Sequence, residues 1–132
     1  MKGIDTNVLV RYLVQDDHVQ SRLATDFIEN ECSAETPAFI NGVVLCELVW
    51  VLETAYEFKK SIIANVLEKI LTTRQFNIYQ SDIIWQAVRG YKNDGADFAD
   101  HYIAGLNADN NCDYTATFDK GASKLQGFEL LD

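Results

Sequence analysis

Alternation constrains this chain more than any other feature: short strand-like stretches are separated by longer segments whose apolar residues recur at helical spacing. Lys2–Asp5, Pro37–Ile40, Phe76–Tyr79, Tyr114–Thr117 and Phe128–Leu131 read as strands. Thr6 and Asn7 can cap a helix over Val8–Val14. Val19–Glu31 carries Leu23, Phe27 and Ile28 among charges, the pattern of an amphipathic helix. Asn41 caps Val43–Tyr56, which is apolar nearly all round and predicts a buried helix. Ile62, Ile63, Val66, Leu67, Ile70 and Leu71 predict another, running to Thr72. Asp82 caps Ile83–Tyr91, and Phe98–Ala108 ends before Asn110 and Asn111, which favour turns. Strands alternating with helices imply βαβ units. The expected fold is α/β: a three-layer sandwich whose short, mainly parallel sheet is flanked by helices on both faces. In such sheets functional groups collect beyond the carboxyl ends of the strands.

At 132 residues and 48% apolar, the sequence suits one domain over 1–132 with a sizeable core. Its 20 acids against 11 bases leave a formal charge of −9, which argues against nucleic-acid binding through a broad basic patch. Cys32, Cys46 and Cys112 are widely spaced with no CxxC pair, so reduced core thiols are expected rather than disulfides or a thiolate zinc site. Asp5 stands where a secretory leader needs its apolar region. The longest apolar stretch, Gly42–Leu52, is broken by Glu47 and too short to span a bilayer. A cytoplasmic protein without membrane contact is the expectation.

The acids carry the chemistry. Asp5 closes the first strand and Asp119 follows the fourth; each is either a turn or capping residue or an acid facing the crevice. At about 100° per residue, Val44, Leu48, Val51 and Ala55 form one buried stripe with Glu47 along its edge, while Glu53 and Glu57 fall outside. A carboxylate in that apolar helix needs an ion pair with Arg11 or Arg89, or a metal. Asp97 and Asp100 share a face at a helix start, where capping and the helix dipole account for Asp97 better than for Asp100. An oxygen-only cluster of this kind suits a hard cation such as Mg²⁺ or Mn²⁺.

Four stretches, in this order and spacing, resemble the signatures of PIN-domain nucleases: Ile4-Asp5-Thr6-Asn7-Val8-Leu9, Glu47 on its apolar helix, Asp97-Phe98-Ala99-Asp100-His101-Tyr102-Ile103-Ala104, and Thr117-Phe118-Asp119-Lys120. In particular they resemble the VapC-type ribonuclease toxins of prokaryotic toxin–antitoxin pairs. The resemblance spans nearly the whole chain, including Tyr56-Glu57-Phe58. It implies a single PIN domain that hydrolyses RNA with Mg²⁺ or Mn²⁺, leaving a 5′-phosphate and a 3′-hydroxyl. It implies Asp5, Glu47, Asp100 and Asp119 as catalytic and metal-binding acids. Asp97, Thr117, Thr6 and Asn7 would be accessory groups. His101-Tyr102 departs from the small or aliphatic residues common at those positions. Arg11, His101 and Lys120 are candidate substrate contacts, with Lys92 a further base; each also reads as an ordinary surface group. The resemblance further implies a homodimer and a small VapB-like antitoxin whose C-terminal segment reaches the acidic site. Trp50, Trp85 and Phe58 could supply those surfaces or simply pack the core.

Two rivals remain. A receiver or haloacid-type phosphotransfer domain also places Asp at strand ends, but Asp5 is followed by Thr6-Asn7, which lacks the second acid either needs. An acidic module that binds a basic partner would use the same carboxylates without catalysis. No GxGxxG or GxxxxGK[ST] stretch supports nucleotide binding.

Overall fold

The computed structural model describes all residues 1–132. The first three strand-like stretches lie side by side: β1 (Lys2–Gly3), β2 (Ala38–Ile40) and β3 (Phe76–Ile78), in that order and all parallel. Lys2 lies opposite Ala38, and Ala38 opposite Phe76. β4 (Thr115–Thr117) and β5 (Phe128–Leu130) form their own parallel pair, with Thr115 opposite Phe128. The α/β class and the parallel direction are as expected, but the ladder divides in two. Asp5 turns the chain into a helix so soon after β1 that little edge remains for a further strand.

Six α-helices join the strands: α1 (Thr6–Val14), α2 (His18–Asp26), α3 (Gly42–Thr54), α4 (Lys60–Thr72), α5 (Ser81–Asn93) and α6 (Phe98–Asp109). Several boundaries correct the sequence reading. Asp5, not Thr6 or Asn7, caps α1. α2 gives way to one π-helical turn over Phe27–Glu31 instead of continuing as a single α-helix. α3 stops at Thr54, because Glu57 adopts a left-handed φ of 54° and the Phe58 N–H returns to the Leu52 carbonyl at 3.0 Å. Asp82 lies in the first turn of α5, after Gln80 has redirected the chain at φ 50°.

α3 organises the interior. Asn41 accepts the Val44 N–H at 3.0 Å, and Val44, Leu45, Leu48, Val49 and Leu52 are buried. Its apolar sequence nevertheless leaves one side open: Val43 and Trp50 are each 66% exposed. Ala55, placed in the buried stripe by periodicity, is exposed, whereas Trp85 and Phe58 are half-buried. Behind α3, the buried Tyr91 ring ties four helices together. Its hydroxyl donates to Glu53 Oε2 at 2.7 Å, it meets Phe98 edge-on at 6.1 Å, and Lys60 Nζ sits 4.8 Å above it. Burial and the Glu53 bond push the Tyr91 hydroxyl pKa well up. Glu53 is therefore half-buried and bonded inward, not on an outer face. Cys32 is buried, Cys46 is half-buried with its thiol pushed up to about 11 by burial and by Glu47, and Cys112 is exposed, so only part of the core-thiol expectation holds. No helix is long and apolar enough to cross a membrane.

The α3–α6 contact is set by Gly42, where an added Cβ would run into the Tyr102 ring. Gly42→Ala is expected to destabilise the protein by about 1–3 kcal/mol through overpacking. Gly95→Ala, with nothing within 4 Å, serves as the near-neutral control. Urea unfolding midpoints check both; equal midpoints would show that Tyr102 moves aside freely.

Candidate active site

One residue joins the first two acids. Asp5 caps α1, and its Oδ1 accepts the Thr6 N–H at 2.7 Å. The Thr6 side chain, only 7% exposed, donates from Oγ1 to Glu47 Oε1 at 2.7 Å. Thr6 thus connects the start of α1 to the second turn of α3. Glu47 itself is exposed and makes no ion pair with Arg11 or Arg89, which corrects the expectation of a buried carboxylate. Val43, Glu47 and Trp50 follow i, i+4, i+7 spacing, so Glu47 lies on the solvent-facing stripe of α3. Asn7 is exposed beside Thr6.

The second group gathers at the start of α6. Asp97 occupies the cap position with extended backbone, yet its side chain makes no capping bond. Asp100, in the first turn, is half-buried. Its carboxyl is pushed above the ordinary carboxylate range, first by burial and then by the negative charges of Asp97 and Asp119. Asp119, beyond β4, holds its own turn: Oδ1 accepts the N–H groups of Gly121 at 2.8 Å and Ala122 at 3.2 Å. Thr117 Oγ1 accepts the Asp119 N–H at 3.0 Å, so this hydroxyl braces the acid through its backbone. The turn and capping readings of Asp119 and Asp5 are therefore realised by one oxygen of each carboxylate.

The bases are mostly committed elsewhere. Arg11 donates to Gln20 at 2.7 Å, to Asp16 at 3.2 Å and to the Tyr56 hydroxyl at 3.4 Å. Tyr56 in turn donates to Asp16 at 2.7 Å, and that bond, with Arg11 beside it, holds the Asp16 carboxyl low. Lys92 pairs with Glu68 at 3.0 Å. The His101 ring packs against Gly90 of α5, and burial pushes its pKa down. The negative charges of Asp94 and Asp100 oppose that fall. Lys120 is exposed and outside every ion pair. Sequence reasoning missed Tyr102 as the group that seats α6 on α3; a glycine at the first position of an otherwise bulky helix was the available signal.

None of the five acids, Asp5, Glu47, Asp97, Asp100 and Asp119, takes part in an ion pair. No three of them form a ready-made cation cage, since Asp5, Glu47 and Asp119 are each drawn to a local donor. The acids stand in two oxygen-only groups, Asp5 with Glu47 through Thr6, and Asp100 with the charges of Asp97 and Asp119. A raised carboxyl pKa means that the charged form costs stability at neutral pH and that the cost fades as pH falls through the folded-state value. Asp100→Asn in chelator-treated protein is therefore expected to raise the melting temperature at pH 7, with the gain shrinking under acid conditions. Thermal melts across pH check this, and a pH-independent or negative change would refute it.

The sequence pattern of the PIN domain family matches residues 3–127. A protein named VapC ribonuclease, from Aquifex aeolicus (strain VF5), is 30% identical over 100 residues, covering 76% of this chain and 73% of that relative. With parallel strands and helices carrying acids on Asp5, Glu47, Asp97, Asp100 and Asp119, and a family match running over nearly its full length, the chain belongs to the PIN domain family.

Proposed function

We propose that this chain, as a single PIN domain over 1–132, is an endoribonuclease that uses Mg²⁺ or Mn²⁺ to hydrolyse phosphodiesters in single-stranded RNA or RNA loops. It would act in the cytoplasm as the toxin of a type II toxin–antitoxin pair. The observation that carries this reading is the set of five carboxylates without a single cationic partner, in a chain similar to a protein named a ribonuclease.

The residues fit a hard divalent ion in donor type and in charge. Asp5 and Asp100 would be its principal ligands, completed by Glu47 and Asp119, directly or through water. When bound, such an ion lowers the pKa of coordinated water and neutralises phosphodiester charge. The chain's own contributions are positional. Thr6 fixes the α1 cap and the α3 carboxylate together, and Thr117 fixes the backbone of Asp119. Asp97 adds negative charge beside Asp100. Hydrolysis forms a bond from water oxygen to phosphorus and breaks the bond to the 3′ oxygen, leaving a 5′-phosphate and a 3′-hydroxyl. Of the three candidate contacts, Lys120 is in no ion pair and would meet the RNA backbone, whereas Arg11 is tied to Asp16 and the His101 ring packs against Gly90.

RNA cleavage is expected with Mg²⁺ or Mn²⁺ and to stop with chelator. Asp5→Ala and Asp119→Asn should fall to background, and Thr6→Val should lose about tenfold or more through its supporting role. Full activity in Asp5→Ala, or metal-independent cleavage, would refute the assignment. No cleavage together with a melting temperature unmoved by saturating Mn²⁺ would favour the acidic interaction module.

The partners follow the same reading. A groove of about 380 Å³ between α1 and α2, lined by Val8, Leu23, Ala24 and Phe27 and reaching Asn7, suits an amphipathic antitoxin segment ending near Asp5. Exposed Trp50, beyond Glu47 toward the end of α3, suits a homodimer contact. Leu23→Glu, at a side chain already 64% exposed, is expected to weaken capture of an antitoxin encoded beside this chain while RNA cleavage persists. Undiminished co-purification would place the antitoxin elsewhere.

A further inference from the structure

A second cavity, about 430 Å³ in volume, lies along α6 from His101 in its first turn to Ala108 in its last. His101, Gly105 and Asn107 of α6 form one wall; Gln86 of α5, Thr115 of β4 and Gln126 before β5 form the others. No Lys or Arg lines it, and Asp113 does, so its chemistry rejects a phosphate or other anion. It offers instead uncharged donors and acceptors from several elements. Asn107 Nδ2 donates to Thr115 Oγ1 at 2.9 Å, which fixes the amide plane and leaves Oδ1 as an acceptor. Gln86 and Gln126 are exposed, at the mouth. His101 Nε2 is buried in the structure with no hydrogen-bond partner, an unusual state for such a group.

A planar, uncharged group with donors and acceptors along its edge answers this lining, and an unpaired nucleobase has that chemistry. Asn and Gln amides pair with base edges in a bidentate manner, and single strands present those edges unstacked. The position also suits a base. At about 1.5 Å per residue, Asn107 lies about 10 Å along the helix from Asp100, within reach of a nucleotide neighbouring a phosphate held there.

We propose that this cavity is a base-reading subsite, which receives an unpaired nucleobase close to the scissile phosphate and reads its edge with Gln86, Asn107 and Gln126. The proposal rests on the RNA-cleavage reading above, and two measurements separate them. Cleavage of a randomised single-stranded RNA pool with Mn²⁺ is expected to show a base preference at one position beside the cut. The double variant Gln86→Ala, Gln126→Ala should reduce that preference by about tenfold. Separately, adenosine, guanosine, cytidine and uridine are titrated one by one into isotope-labelled protein. At least one should shift the Gly105 and Thr115 amides in wild type and not in the double variant, while inorganic phosphate leaves them unmoved. Cleavage accompanied by neither nucleoside shifts nor a change in preference overturns the subsite and leaves the nuclease reading standing. Nucleoside shifts in a protein that cuts no RNA overturn the nuclease reading and keep the base-binding cavity. Phosphate shifting those amides as strongly as the nucleosides overturns the subsite.

Discussion

Two hydrogen bonds made by Thr6, one from its backbone and one from its hydroxyl, hold Asp5 and Glu47 in a fixed relation although 41 residues separate donor from acceptor in the longer bond. Without them the cap of α1 and the second turn of α3 would share only apolar contacts, which resist separation but set direction poorly. Thr6 is almost fully buried, so its hydroxyl has little alternative to Glu47. The other half of the acidic field is oriented from behind. Tyr91 braces Phe98, the first residue of α6, and α6 then presents Asp100 toward Asp97 and Asp119.

A chain with a formal charge of −9 has no net Coulomb attraction for a phosphodiester. The committed bases sharpen the point. Arg11 is spent on a joint of Asp16, Tyr56 and Gln20 that fastens the α1–α2 turn to the end of α3, and Lys92 is spent on Glu68. On the proposed reading, a bound cation would supply the attraction for an anionic substrate that these committed bases do not.

Much of this was legible in the sequence, and the exceptions have physical causes. Asp5 and Asp119 fall after short strands, where a parallel α/β sheet exposes side chains, so their places could be read from alternation alone. Glu47 could not. Periodicity puts it at the edge of a buried stripe, but Val43–Leu52 is apolar nearly all round, so only packing against α1, α4 and α6 decides that Val43, Glu47 and Trp50 face solvent. His101 could be placed beside Asp100 but not against α5, because successive side chains on a helix diverge by about 100°. Its true neighbour, Gly90, lies on another helix. Arg11 looked free because Tyr56, which completes its cluster, lies 45 positions away.

The division of the sheet has a consequence for how firmly the acids are held relative to one another. Asp5 extends from the three-stranded ladder, whereas Asp119 extends from a two-stranded ribbon with no strand hydrogen bonds to it. A ribbon of two short strands has little stability of its own and relies on the helices against it. The spacing between these two carboxylates is thus governed by side-chain packing, a shallow and adjustable restraint, instead of by a shared ladder of backbone bonds. Loosening the packing around α6 would therefore free Asp119 from Asp5 without breaking a strand hydrogen bond of the three-stranded sheet.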